Sequence, residues 1–156
     1  MIIKTLILSI CLLFLRPAIG QNFVDSSDFE RLKEYVQKRD FVNGWEVAQL
    51  NANEYLGDAD FDFLYGITAL DQNNVELAVF AFERVVANKP TWLDAQYYLA
   101  KSYFRMKNYQ AVLQLCDTLI SQSNSPKPLV AASISLKKTT KRKLAQQSLF
   151  YQQQVS

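Results

Sequence analysis

Lys101 and Arg105 are the pair best spaced for chemistry in this 156-residue chain. Four residues apart, they share one face of a helix, where an ammonium and a guanidinium can hold a carboxylate between them. Asp58, Asp60 and Asp62 form a cluster of the opposite sign. Paired carboxylates can do acid–base work, but these stand at a helix start, where acids complement the dipole. No nucleophile–base pair accompanies them. The chain has no His and two Cys, which removes His-based metal sites, Ser-His-Asp triads and Cys-His pairs together. Cys116, flanked by Leu115 and Asp117, reads as a small buried hydrophobe, since nothing basic is placed to activate its thiol. The expectation is a binding protein, not an enzyme, with no metal and no cofactor.

The elements that position these groups centre on Phe61 to Pro90, two helical patterns separated by the polar turn Asp71-Gln72-Asn73-Asn74. Gly66, in the middle of the first, should cost about 1 kcal/mol relative to Ala. Glycine makes sense there if a neighbouring helix packs too closely for a Cβ. Ala78 and Phe82 offer a small and a large partner, and Pro90 stops the second helix. Upstream, Ser27 and Glu30 have the spacing of a capping box. Phe29, Leu32, Tyr35 and Val36 then mark a helix, Asp40 to Asn43 a turn, and Gly44, Trp45, Ala48 and Ala52 a second helix ending near Gly57. Downstream, Thr91 and Asp94 open the helix that carries Leu99, Ala100 and Tyr103. The turn after it, Lys107 to Ala111, reads one residue short, which displaces Ala111, Leu115 and Thr118 from the earlier frame. Ser121 to Pro128 is a polar, proline-containing breaker. Leu129 to Phe150 reads as one more helix, in which Leu129, Val130, Ile134 and Leu136 cover an open end; the glutamines at 146, 147 and 152–154 read as a frayed terminus.

Length allows one domain. The formal net charge of +2 hides an asymmetry. Residues 21–124 carry nine Lys/Arg against fifteen Asp/Glu, whereas residues 125–156 carry six Lys/Arg and no acid. Residues 1–20 have the parts of a secretory signal peptide: Lys4, an apolar run from Leu6 to Leu15, and small residues at Ala18 and Gly20, with cleavage expected before Gln21. The competing reading keeps residues 1–15 as a membrane anchor. Cys11 follows Ile10 where a lipobox wants a small residue, so a lipid there is not expected.

Gly66 and Ala100 lie 34 residues apart, and Leu32 takes the same place one period earlier. Tyr35, Ala69 and Tyr103 share a second position, and Gly44 with Ala78 a third. That period and those residue types resemble the tetratricopeptide repeat (TPR), a helix-turn-helix unit. The resemblance implies an all-α, short right-handed solenoid: residues 1–20 a signal peptide, repeats at 25–58, 59–92 and 93–125, and a C-terminal basic capping helix and tail at 126–156. First helices line the inner surface of such a solenoid. Carried over residue by residue, the resemblance implies a partner-binding groove of Asp60, Phe63, Ile67 and Asp71 in one repeat and Asp94, Tyr97, Lys101 and Arg105 in the next. Its ligand would be a protein, as an extended peptide or a helix. Tyr97 and Phe63 are the aromatic anchors of that set. Phe82, Tyr65 and Tyr103 fit core positions instead.

A narrower resemblance rests on Phe61-Asp62 before the Gly66 helix, Ala69-Leu70, the run Ala78 to Arg84, and Leu99-Ala100 with Tyr103-Phe104. Over residues 40–136 the chain is similar to the periplasmic TPR segment of outer-membrane proteins of the surface lipoprotein assembly modifier type. Beyond Pro128 no strand-like alternation of the kind a β-barrel needs is present, so only the interaction module is carried over. That resemblance implies a periplasmic adaptor or assembly factor in the cell envelope, whose partner is an outer-membrane protein or lipoprotein. For Lys137, Lys138, Lys141, Arg142 and Lys143 the first expectation is a solvated capping face packed near Asp58, Asp60 and Asp62. Contact with a membrane surface is the alternative, and nucleic acid is not expected.

Overall fold

The computed structural model describes residues 26–155, so the expected leader, the expected cleavage before Gln21 and Cys11 lie outside the described residues. Among the described residues seven helices follow one another: α1 (Ser26–Gln37), α2 (Phe41–Tyr55), α3 (Ala59–Asp71), α4 (Val75–Asn88), α5 (Leu93–Arg105), α6 (Tyr109–Ser121) and α7 (Lys127–Val155). Each packs on the next. Beyond neighbours, α1 touches α3, α3 touches α5, and α5 touches α7, whereas α2 does not reach α4, nor α4 reach α6. The odd-numbered helices therefore form the inner layer of an all-α, TPR-like solenoid, and the even-numbered ones splay on the outside.

The period is kept to the residue. Arg39, Asn73 and Lys107 occupy the left-handed region at φ 60°, 61° and 61°. Around each, the same two backbone bonds form: Asn73 N–H donates to Leu70 O and Asn74 N–H to Ala69 O, with the equivalent pairs at 39–40 and 107–108. This is a Schellman ending, which satisfies the last helical carbonyls. The second helices then open at Phe41, Val75 and Tyr109, so the third turn is as long as the others, contrary to the reading of a shortened one. The small residue Ala111 falls one place before the frame position, which Val112 fills. Val112, Cys116 and Leu119, all buried, stand where Ala78, Phe82 and Val85 do.

Two expected helix starts differ. Trp92, not Thr91, precedes α5, without a side-chain cap. Ser27 lies inside α1, which opens at Ser26, and the Glu30 carboxylate meets Lys33 Nζ at 2.7 Å. The turn before α2 is shorter than expected, with Asp40 itself the cap, accepting from the Asn43 N–H. Helix α7 starts two residues before Leu129, with Pro128 in a first turn that needs no N–H from it, and includes the glutamines read as a frayed end.

Gly66 faces Phe82 so closely that a Cβ on it would lie 2.7 Å from Cζ. Around that contact Phe61, Tyr65, Ala78 and Phe82 form one buried cluster with Leu32, Ala48 and Leu99. Asp62 is not on an acidic surface. It is fully buried and accepts from Arg84 Nε at 2.8 Å and Nη2 at 2.6 Å and from the Gly57 N–H at 3.2 Å. A buried carboxylate holds only when its lone pairs are met by such charged donors. One repeat on, Gln96 takes this place and donates to Pro90 O at 2.6 Å, while its Oε1 meets no donor among the described residues. Thr118 stands there instead of an arginine.

Candidate groove between the inner helices

Because the odd-numbered helices lie side by side, the facing side chains of α3, α5 and α7 enclose a groove of about 740 Å³. Its floor is apolar, from Ile67, Leu70, Phe104 and Leu136, and its charged groups are Arg39, Asp71, Lys101 and Arg105. Five of the eight residues expected from the repeat frame line it: Ile67, Asp71, Tyr97, Lys101 and Arg105. The other three do not. Phe63 is packed away, stacked on Trp92 at 4.5 Å with Tyr98 edge-on at 5.6 Å. Asp60 is held by Lys89 Nζ at 3.0 Å. Asp94 sits exposed in the first turn of α5.

Lys101 stands out within the groove. Its ammonium lies 4.8 Å from the Tyr98 ring centroid and 6.0 Å from that of Tyr97. Burial pushes its pKa down, and the nearby Arg105 charge adds to this. No acid pairs with it among the described residues. The two rings stabilise the cation by their quadrupoles and leave its N–H donors unmatched by a counter-charge. Burial likewise raises the Tyr97 hydroxyl, which stays a neutral donor. Arg105 is partly committed, since its Nη1 donates to the Leu70 carbonyl at the end of α3. A guanidinium has five N–H donors, so the bond fixes the group and leaves others for a ligand. Three cations thus face one acid, Asp71, whose Oδ2 accepts from Gln72 Nε2 at 3.1 Å. An incoming carboxylate would find cations already in place.

Sequence reasoning missed the third wall. Ala132, Ser135, Leu136 and Thr139 of α7 line the groove. The signal was available, since Lys127 starts α7 34 residues after Leu93 starts α5. Arg39, from the α1–α2 turn, was missed because a turn residue lies outside the helix positions carried over.

The basic cluster is not near Asp58, Asp60 and Asp62. Asp58 caps α3, Asp62 binds Arg84 and Asp60 binds Lys89. Helix α7 packs on α6 and α5, and Lys137 pairs with Asp117 of α6. Ile134, expected to cover the stack's end, points outward at 51% exposure. Leu129 is buried and Leu136 half-buried.

Over residues 71–145, from the end of α3 into α7, the chain matches the family model described as anaphase-promoting complex, cyclosome, subunit 3, a TPR-like repeat family. No curated protein and no solved structure matches it. The helix order and the 34-residue register define an all-α, TPR-like solenoid, and this match supports a TPR-type protein. Repeats of this type are in general protein–protein interaction modules and typically non-catalytic.

Proposed function

We propose that this chain is a protein-binding adaptor that seats a carboxylate-bearing segment of its partner in the groove between α3, α5 and α7. The observation that carries this reading is the Lys101 ammonium, half-buried against two tyrosine rings without an ion-pair partner among the described residues, with Arg39 and Arg105 lining the same groove. An apolar floor under a cationic wall suits an acidic segment that also carries apolar side chains. We place the protein in the bacterial envelope, exported to the periplasm. That part rests on the leader-like residues 1–20 and on the resemblance of residues 40–136 to assembly-modifier repeats, which favours an outer-membrane protein or lipoprotein as partner. An N-terminus at Gln21 in protein purified from cells tests the export.

The groove is tested by a photo-crosslinking aromatic residue at Tyr97, with a matched probe at Glu76 on the outer helix α4. The expected result is one discrete protein trapped from Tyr97 alone and lost with Lys101→Glu and Arg105→Glu. The same background at both positions would remove the groove as the binding surface.

A further inference from the structure

Helix α7 is a fourth first helix that runs on straight where the earlier repeats turn into their second. Leu129 and Ser133 lie 34 residues after Ala95 and Leu99, and all four are buried. The three earlier turns each hand over to a second helix through Asp40, Asn74 or Asn108. The corresponding residue in α7 is Arg142, which cannot cap a helix start, and the surrounding Lys141-Arg142-Lys143-Leu144-Ala145 are strong helix formers. The chain therefore stays helical through the place where it should turn. Among the described residues, no helix covers the face that a second helix covers in each earlier repeat. Leu32 and Gly66 meet their second helices at Gly44 and Phe82, whereas Ile134, at the same frame position, is 51% exposed.

That open face has a definite chemistry. Ile134, Lys137, Lys138, Lys141, Arg142 and Ala145 line a shallow depression of about 440 Å³. Ile134, Lys138, Lys141, Ala145 and the exposed Leu149 recur at three- and four-residue spacing, a seam of the kind one helix offers another. Helix α7 carries six cations and no acid, and Lys137 alone among them has an ion-pair partner, Asp117, among the described residues.

We propose that this face docks an acidic amphipathic helix of a partner protein, which completes the fourth repeat in trans. Its apolar side would cover Ile134, Ala145 and Leu149, and its carboxylates would meet Lys138, Lys141 and Arg142. A lipid surface fits less well. The lysines lie within the apolar seam rather than beside it, so insertion would carry Lys138 and Lys141 in with Ile134. The exposed Phe150 and Tyr151 follow Leu149 directly and so leave the helix on other sides. This surface is separate from the groove, and its failure would leave the groove reading intact.

The test uses the mature chain and two fluorescent peptides of roughly 15 residues, long enough to be helical. One carries a Leu/Ala stripe flanked by Glu, and the other has the same composition with a central proline. Vesicles of phosphatidylglycerol and phosphatidylcholine form the third arm. The helical peptide should bind, should weaken about tenfold with Lys138→Gln plus Lys141→Gln or with Ile134→Glu, and should be indifferent to Lys101→Glu. Melting curves confirm that the variants fold, and the glutamine pair, on an exposed face, serves if Ile134→Glu does not. Equal binding of the proline peptide would overturn the proposal in favour of bare charge attraction. Vesicle binding without peptide binding would overturn it in favour of a membrane face. Binding of neither would reduce the cluster to a solvated cap.

Discussion

Replacing Gly66 by Ala tests the close approach of the Phe82 ring to the backbone of α3. In an exposed helix the change would stabilise by about 1 kcal/mol, because Ala loses less backbone entropy than Gly. Here the added Cβ would lie 2.7, 2.8 and 3.0 Å from three ring atoms of Phe82. Phe82 cannot swing aside, because it is fully buried, with Tyr98 stacked at 5.6 Å and Phe63 edge-on at 5.9 Å. Overpacking of this kind costs about 1–3 kcal/mol, so the net effect should be neutral to destabilising, by roughly 0–2 kcal/mol once propensity is credited. The decisive readout is the sign in a second background. With Phe82→Leu the obstructing ring is gone, and Gly66→Ala should turn neutral or stabilising, giving a coupling of at least about 1 kcal/mol between the two sites. Urea denaturation of the four proteins measures this. Gly44 is a control: a Cβ there meets Thr68 Cγ2 at 3.1 Å and Tyr35 Cβ at 3.4 Å, contacts that small shifts relieve, so Gly44→Ala should stay within about 1 kcal/mol of wild type. Stabilisation by Gly66→Ala in the wild-type background, or additivity with Phe82→Leu, would refute the close-packing explanation of that glycine.

Lys107→Gly should stabilise the chain by about 0.5–1 kcal/mol in the same denaturation assay, because its φ of 61° is strained for a side chain and free for glycine. Thr118→Arg should give the unmet Gln96 Oε1 a donor, as Arg84 serves Asp62, and raise stability by about 1 kcal/mol. Burial and a hydrogen bond to Glu83 push the Tyr103 phenol up to about 12. Since the folded value lies above the unfolded one near 10, this contribution is whole below pH about 10 and is lost as pH rises towards 12. Tyr103→Phe should therefore flatten that alkaline loss, read from melting temperature against pH. Burial raises the Cys116 thiol to about 11, so a thiol reagent at pH 8 should label it only after denaturant is added; rapid labelling of the native chain would contradict its place in the core.

The sequence by itself determined the helices and their period, because a 34-residue recurrence of Leu32, Gly66 and Ala100 with alternating apolar faces is local information. It determined that α7 would not turn, since Arg142 stands where Asp40, Asn74 and Asn108 open helices. It was misread at Ala111, where a small residue one place out of register suggested a shortened turn; backbone hydrogen bonds, which side-chain type does not report, kept the turn whole. Tertiary structure alone decided what the charges do. Asp58, Asp60 and Asp62 are alike in sequence, yet one caps a helix, one meets a surface lysine and one is buried on Arg84, 22 residues away. Side-by-side stacking of the inner helices likewise gathered Arg39, Lys101 and Arg105 with α7 around one groove and withdrew Phe63 into an aromatic stack. Helical spacing gives the direction in which a side chain points, but the group it meets there is set by where the next helix lies.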